Sequence, residues 1–189
     1  MNKRFDGKGL SYIVRPAVQQ DAKELSAVRV QIDGETEYLD REKGEGFIDE
    51  AGFRELIKRD SKHDRCLFLV AVARNRIVGF SRCAGQDLKR FSHQVEFGVC
   101  VLKEFWGYGI GKRLLNESIV WADTAGIKKM TLRVSETNER ASALYQKHGF
   151  TIEGIFKKDK RLSDGTYDNT IVMGRWHDRN RKNIWREPV

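Results

Sequence analysis

Several features that mark whole classes of protein are missing from this 189-residue chain. It has no run of about 20 apolar residues, so we expect no helix that spans a bilayer and no membrane partner. The first nine residues include three basic ones, but no apolar stretch follows them, which argues against a secretory signal peptide. We therefore expect a cytoplasmic protein.

Cysteine and histidine are also scarce. The three cysteines, Cys66, Cys83 and Cys100, each lie in an apolar, strand-like run, and an odd number does not suit a framework of disulfides. We interpret them as free, buried thiols. There are only four histidines, and neither the cysteines nor the histidines show a paired spacing, so the sequence does not support a structural zinc site and we expect no metal.

The composition that is present, 40% hydrophobic and 33% charged residues, is typical of one globular domain. A net charge of +8 suits either a nucleic acid or a small anionic cofactor. Nucleic-acid-binding modules combine basic and aromatic residues on a strand face or on a recognition helix. The sequence shows neither pattern clearly, so we expect no nucleic-acid partner.

Hydrophobic periodicity predicts an α/β (α+β) domain over residues 11–175, between an N-terminal tail (1–10) and a basic C-terminal tail (176–189). Strands are expected at 12–15, 66–72, 77–81, 95–101, 130–134, 150–156 and 169–173. Helices are expected at 21–31, 47–57, 109–125 and 138–148, the first with Asp21 as its N-cap.

A glycine-rich segment connects the strand at 95–101 to the long helix that follows. This glycine turn, Gly107–Gly111, brings backbone N–H groups together with the positive end of the helix dipole. Glycine lets an anion approach those amides closely and adopts positive φ angles without strain. Lys112 and Arg113 add positive charge where a helix normally favours acidic residues. The turn is typical of a phosphate-binding site, although a tight turn without a ligand is the alternative.

Two common phosphate-binding motifs do not fit this turn. A P-loop requires Gly at position 106 and Ser or Thr at position 113, where the chain has Trp106 and Arg113. A dinucleotide fingerprint requires Gly at position 112 or Gly or Ala at position 114, where the chain has Lys112 and Leu114. Some other anionic ligand is therefore expected.

A second motif indicates which ligand. Residues 138–150 match Asn-x-x-Ala-x-x-Leu-Tyr-x-x-x-Gly-Phe at every specified position, and this signature resembles that of the GNAT superfamily of acetyl-CoA-dependent N-acetyltransferases. The glycine turn is similar to that family's Arg/Gln-x-x-Gly-x-Gly/Ala motif, with Gly109 and Gly111 as its glycines. Trp106 departs from the motif's first position. The resemblance extends over about residues 12–175.

The resemblance implies a GNAT fold, in which about four helices flank a mixed, mostly antiparallel sheet of six to seven strands. The fourth and fifth strands of that sheet splay apart to hold acetyl-CoA, and Gly98 permits a bulge there. The backbone at 99–101 would pair with pantetheine, and the glycine turn would bind the pyrophosphate. The implied cofactor-binding residues are Val99, Cys100, Val101, Gly107, Tyr108, Gly109, Ile110, Gly111, Lys112, Asn138 and Tyr145.

The resemblance also implies catalytic residues. Tyr145 would protonate the leaving thiolate, although its position on an apolar helical face suits a core aromatic as well. Glu96 would act as the general base, with a solvent-facing strand residue and a water-only route as the alternatives. Asn138 would contact the cofactor or simply begin a helix. Arg133 stands where certain relatives carry a catalytic Glu, so that variant of the mechanism is not expected.

The implied function is transfer of an acetyl group from acetyl-CoA to a primary amine of a small molecule or a peptide N-terminus, by direct attack in a ternary complex. The alternative is a non-catalytic acetyl-CoA-binding or sensor protein. Residues 33–60 and 157–169 are expected to form the acceptor side. Acidic residues in the first of these segments would attract a cationic acceptor or would simply be solvated. The sequence leaves a homodimer open.

Overall fold

The structure, a computed structural model, describes residues 2–177, and these form one mixed α/β domain. The strands are β1 (Lys3–Gly7), β2 (Leu10–Pro16), β3 (Leu67–Ala73), β4 (Arg76–Gly85), β5 (Gln94–Val101), β6 (Lys129–Ser135), β7 (Thr151–Arg161) and β8 (Tyr167–Trp176). The helices are α1 (Ala22–Asp33), α2 (Glu50–Asp60), α3 (Ile110–Thr124) and α4 (Glu139–Lys147). The expected fold class is confirmed, with one strand more than the six to seven expected. No helix within residues 2–177 is long and apolar enough to cross a membrane.

The eight strands form one sheet in the order β1-β2-β3-β4-β5-β6-β8-β7. All neighbours are antiparallel except β5 and β6, which are parallel and are connected through α3. Their register covers only three pairs, from Gln94↔Lys129 to Glu96↔Thr131. Beyond Glu96, β6 continues beside β8 and β5 continues beside β4. A gap therefore opens between the two central strands, as the sequence predicts.

Three details differ from expectation. Residues 3–7, expected in a tail, form β1 and pair with β2 at the sheet edge; this strand is largely exposed, so it lacks the apolar pattern that marks strands in sequence. The register of β4 and β5 is continuous through Gly98, so no bulge forms there. Trp176, expected in the C-terminal tail, ends β8, and residues 178–189 of that tail lie outside the described residues.

Two apolar clusters form the core. The first lies between α1, α2 and strands β2 to β4, and the second lies between α3, α4 and strands β5, β6 and β8. The three cysteines are free, with Cys83 buried and Cys66 and Cys100 half-buried, so the prediction of free thiols is confirmed. The sheet therefore has a helical layer on each side, and the gap between β5 and β6 lies within it.

The helix N-termini follow local capping chemistry. Asp49 caps α2 by accepting a hydrogen bond from the Gly52 amide at 2.7 Å. Asp21 precedes α1 but does not cap it, contrary to expectation. Its carboxylate binds the guanidinium of Arg15 and the amide of Val18 instead, and this fastens the end of β2 to the start of α1.

Candidate active site

A cleft of about 830 Å³ lies where β5 and β6 separate. Its walls come from the C-terminal half of β5, the start of α3, the whole length of α4, and the end of α1 with the connection that follows it. Ten of the eleven residues that the sequence implies as cofactor-binding line it: Val99, Cys100, Val101, Gly107, Gly109, Ile110, Gly111, Lys112, Asn138 and Tyr145. Segments about 40 residues apart in sequence therefore meet at one site.

The glycine turn forms one end of this cleft. Gly107 has a φ angle of +88° and Gly109 has one of +83°, a left-handed conformation that side chains with a Cβ adopt with strain. Gly109 is the N-cap of α3, so the amides of the first helical turn have no partner within the helix. That turn contains no acidic residue, and Lys112 lines the cleft beside it. The arrangement is suited to a phosphate group.

Two neighbours of the turn face away from the cleft. Tyr108, the eleventh implied residue, does not line it; its ring packs against the core beside Phe105. Arg113 lies over the ring of Phe5 in β1, with 4.6 Å from Cζ to the ring centroid, and also bonds the hydroxyl of Tyr12. Burial raises the pKa of Tyr12, and the Arg113 charge opposes that shift. Arg113 therefore fastens the turn to β1 and β2 instead of adding charge to the cleft.

The free edge of β5 forms the wall next to the turn. Residues 99–101 pair with β4 on one side and have no partner from β6 on the other. The indole N–H of Trp106 donates a hydrogen bond of 2.7 Å to the Val101 carbonyl, which terminates this edge. Trp106 thus has a specific structural role at the motif position where the family usually has Arg or Gln. Burial raises the pKa of the Cys100 thiol to about 12, so this thiol is protonated at neutral pH.

Asn138 and Tyr145 approach the gap from α4. Asn138 caps the helix, because its Oδ1 accepts a hydrogen bond of 3.2 Å from the Ala141 amide. The expected role in starting the helix is therefore present, and its side-chain amino group is left for a ligand in the cleft.

Tyr145 belongs to the core and to the cleft at once. Its ring contacts Phe97 edge-on and packs near Phe150, with centroids 6.5 Å and 5.9 Å away. The side chain lines the cleft, although only 8% of the residue is exposed. Burial raises the pKa of this phenol above its usual value. Within residues 2–177 its hydroxyl forms no hydrogen bond, so the proton is available to a bound group.

Glu96, the expected general base, does not line this cleft. It is exposed on β5, on the face opposite the buried side chains of Val95 and Phe97. Because Glu96 is the last residue of β5 to pair with β6, it stands at the point where the gap opens. The structure therefore leaves both alternatives open, a base that faces an acceptor and a solvated carboxylate.

Residues 34–49, which connect α1 to α2, reach across one end of the cleft. Tyr38 stacks on Trp106 with ring centroids 6.3 Å apart, and Tyr38 and Leu39 both line the cleft. The Lys160 ammonium in β7 donates a hydrogen bond of 2.8 Å to the Glu37 carbonyl. We call this connection the α1–α2 strap. It thus contacts Trp106, directly before the glycine turn, and the β7–β8 hairpin.

The acidic residues of the strap bind parts of the protein itself. Glu35 accepts a hydrogen bond of 2.7 Å from the Lys103 amide, and Glu37 accepts one of 2.7 Å from the Ser163 amide. Hydrogen bonding to Ser163 holds the pKa of Glu37 below its usual value. Two of the acidic residues in this segment therefore have partners within the protein, so their presence does not require a cationic acceptor.

The sequence analysis expects the segment 33–60 on the acceptor side, but it names none of the individual residues that the strap brings to the cleft. Tyr38 and Leu39 lie in a stretch without clear periodicity, so no pattern in the sequence assigns them to a wall of the cleft. Ile32 and Thr36 line the same wall, and only the first of them falls near an expected helix.

Comparison with known proteins identifies the family. The sequence profile of the acetyltransferase (GNAT) family matches residues 32–150, a range that contains the glycine turn and the whole 138–150 signature. The chain belongs to the GNAT acetyltransferase family. The expected class, an acyltransferase, is confirmed at the level of this family.

Individual relatives agree with the assignment. The chain is 33% identical over 108 residues to the L-amino acid N-acetyltransferase AaaT of Escherichia coli (strain K12), a match that spans 57% of this chain and 66% of the relative. An acetyltransferase of the GNAT family from Streptococcus pneumoniae has a similar structure, with a TM-score of 0.85, 28% identity and coverage of 88% and 99% of the two chains. The fold also matches the phosphinothricin acetyltransferase of Sinorhizobium meliloti, solved in complex with acetyl-CoA, with a TM-score of 0.76, 21% identity and 86% of each chain covered.

Proposed function

We propose that this GNAT-family protein transfers an acetyl group from acetyl-CoA to a primary amine of a small molecule or a peptide N-terminus, by direct attack in a ternary complex. The observation that carries the proposal is the convergence of three elements on one cleft. These are the left-handed glycine turn, the free edge of β5 and the hydroxyl of Tyr145. The relative from Escherichia coli is named for N-acetylation of L-amino acids, which supports a primary amine as the acceptor.

The residues of the cleft fit acetyl-CoA. Amides at the start of α3, with Lys112 beside them, would hold the pyrophosphate, since both favour an anion. The free edge of β5 would pair with the amide groups of pantetheine in the manner of an added strand. Acetyl-CoA supplies an activated acyl group when it is bound.

The chemistry requires a neutral amine, a hydrogen-bond donor for the carbonyl oxygen and a proton for the departing thiolate. A backbone amide of residues 99–101 would donate to the oxygen, and Tyr145 would donate the proton. Glu96 would accept a proton from the attacking amine, directly or through water. Cys100 is not suited to carry the acyl group, because burial raises the pKa of its thiol to about 12 and keeps it protonated.

The proposal is tested by incubating the protein with acetyl-CoA and a panel of amines while free thiol is measured. The panel contains L-amino acids, their amides, short peptides and polyamines. We expect thiol release that depends on both the protein and an amine. Calorimetric binding of acetyl-CoA without thiol release from any amine would instead indicate the alternative, a non-catalytic sensor.

A further inference from the structure

The face of the sheet beside the gap carries three side chains relevant to an acceptor. Arg82 pairs with Gly98 in the β4–β5 register, and its ion pair with Asp60 shows that this face lies under α2. Glu96, two residues from Gly98, lies on the same face, as does Thr131, its partner in β6. Alternation along β6 then places Arg133 on this face too. We call this surface, defined by Arg82, Glu96, Gly98, Thr131 and Arg133, the acceptor face.

Arg133 differs from the other arginines of this region in how its charge is balanced. Arg82 is paired with Asp60, and Arg41 is paired with Asp33 through contacts of 3.0 and 3.1 Å. Arg133, in contrast, has no carboxylate within ion-pair distance in the part of the chain that the structure describes. Its guanidinium lies over the ring of Phe156, with 5.4 Å from Cζ to the centroid.

Stacking on an aromatic ring orients a guanidinium without consuming its N–H groups. The ring contacts the flat face of the cation, while the fork of donors stays in the plane and matches the two oxygens of a carboxylate. Phe156 therefore holds Arg133 in place and leaves its hydrogen-bonding groups for a ligand. Arg133 is exposed, so a ligand can reach it.

The space next to Arg133 is open. Arg133 lies two residues beyond Thr131, at the level of Gly98 on the splayed strand, and a Cβ built on Gly98 would meet no atom within 4 Å. Glu96 is the register partner of Thr131 and therefore lies diagonally across from Arg133 on this face. The two side chains form no ion pair with each other among residues 2–177. Glu96, on β5, and the guanidinium of Arg133, which lies over Phe156 of β7, thus border an open stretch of the acceptor face from its two sides.

We propose that Arg133 binds the carboxylate of the acceptor, so that the acceptor is a free amino acid or another amine with a carboxylate close to its nitrogen. This inference rests on the proposed acetyl transfer. The amine would lie toward Glu96 and the free edge of β5, and the carboxylate would lie toward Arg133. An acceptor with an ammonium and a carboxylate can engage both groups, whereas a peptide N-terminus has a neutral amide where the carboxylate would be.

The test compares each L-amino acid with its own primary amide, because the pair differs only at the carboxyl group. For the wild-type protein we expect kcat/KM to favour the acid by about 100-fold, as befits a charged, bidentate hydrogen bond. Arg133→Gln should lower kcat/KM for the acid by about 100-fold, mainly by raising KM. It should change kcat/KM for the amide by no more than about threefold. Arg133→Lys should restore part of the loss, since it retains the charge without the fork.

The control is Arg4→Gln, which removes the same charge from the exposed β1 strand, separated from β6 by four other strands of the sheet. This variant should leave kcat/KM unchanged for both the acid and the amide. Equal use of acid and amide by the wild type, or an equal loss for both in Arg133→Gln, would overturn the assignment while acetyl transfer itself stands.

A binding measurement separates this inference from the proposed function. If no amine releases thiol, acetyl transfer fails as the function, and the same acids and amides are titrated calorimetrically into the protein loaded with coenzyme A. Binding of acids that is lost in Arg133→Gln supports the carboxylate site. Absence of acid binding, or equal binding of acid and amide, excludes it.

Discussion

The proposed site has two parts, the cofactor cleft and the acceptor face beside it, and they are built from different kinds of chemical group. On the cofactor side, which comprises the glycine turn and the free edge of β5, the groups that face a ligand are mostly backbone amides in a fixed geometry. On the acceptor side, which comprises the acceptor face and the α1–α2 strap, the groups are side chains such as Glu96, Tyr38 and Arg133. Binding on the cofactor side depends on which residues lack a Cβ. Binding on the acceptor side depends on which side chains are present.

This difference predicts how each side responds to mutation. A backbone site fails as a whole when its φ angles become strained, so single substitutions on the cofactor side should have large effects. A side-chain site loses one interaction at a time, so substitutions on the acceptor side should be smaller and specific to one substrate or one pH range. The predictions below test this contrast, starting with the largest effect.

Gly109→Val should abolish measurable acetyl-CoA binding, a loss of at least about 100-fold in affinity by calorimetry. Gly109 has a φ angle of +83°, which a β-branched residue adopts only with strain, and the new side chain would cover amides that a phosphate needs. Wild-type affinity in this variant would remove the glycine turn from the site.

Gly126→Val provides the matched control. Gly126 has a φ angle of +78°, but it follows the C-terminal end of the 15-residue helix α3, about 22 Å from the glycine turn. Both variants should lose stability by a similar 1–3 kcal/mol or so. Only Gly109→Val should lose acetyl-CoA binding, so thermal unfolding and calorimetry together separate strain from ligand contact.

Tyr145→Phe should lower kcat by roughly 100-fold and leave the affinity for acetyl-CoA nearly unchanged. Phenylalanine keeps the ring contacts with Phe97 and Phe150, so the fold should be retained and only the proton donor should be lost. Unchanged turnover would show that Tyr145 serves the core alone.

The raised pKa of Tyr145 also predicts how the rate depends on pH. Burial raises the pKa of Tyr145, and a phenol is protonated at every pH below its pKa, so the donor stays loaded across the neutral and mildly alkaline range. The wild-type rate should therefore rise with amine deprotonation up to about pH 10 without an earlier decline. A fall in kcat near pH 8 would contradict Tyr145 as the proton donor.

Glu96→Gln should lower kcat by about tenfold at neutral pH, an effect smaller than that of Tyr145→Phe because water can replace an exposed base. The rise of the rate with pH should shift toward the pKa of the free amine, about 10. Glu55→Gln, an exposed residue of α2, removes the same charge away from the gap and should leave the profile unchanged. If both variants retain the wild-type profile, the proton leaves through water alone.

Trp106→Phe should have the smallest effect, a loss of about 1 kcal/mol in stability and a few-fold rise in KM for both substrates. The variant loses the hydrogen bond to the Val101 carbonyl but keeps an aromatic ring against Tyr38. Because Trp106 touches both sides of the cleft, both KM values should change together. A change confined to acetyl-CoA would show that the strap does not depend on this contact.

The sequence predicts the geometry of the glycine turn and of the Asn138 cap well, because these features are local. Each of these motifs is a short segment with a strict requirement, such as glycine at a positive φ angle or an Asn that caps a helix, and such requirements are visible in single residues. The gap between β5 and β6 follows from the same resemblance, and the three-pair register agrees with it.

The acceptor side could not be predicted in the same way. The contact between Tyr38 and Trp106 joins residues 68 positions apart, and the contact between Lys160 and Glu37 spans 123 positions. Neither segment shows periodicity, and charged loops look alike whether they bind a partner or water. The strand β1 was missed for a related reason, since an exposed edge strand needs no alternation of apolar residues.

The position of Trp106 bears on the intrinsic fluorescence of the protein. Indole emission depends on the hydrogen bond of its N–H group and on the rings stacked against it, and here these partners belong to the free edge of β5 and to the α1–α2 strap. Of the other tryptophans, Trp121 packs against the second core cluster and Trp176 ends β8, neither of them in the cleft, and Trp185 lies outside the described residues. We therefore expect the emission of Trp106 to change when the proposed substrates bind, which would allow binding to be followed in real time without a label.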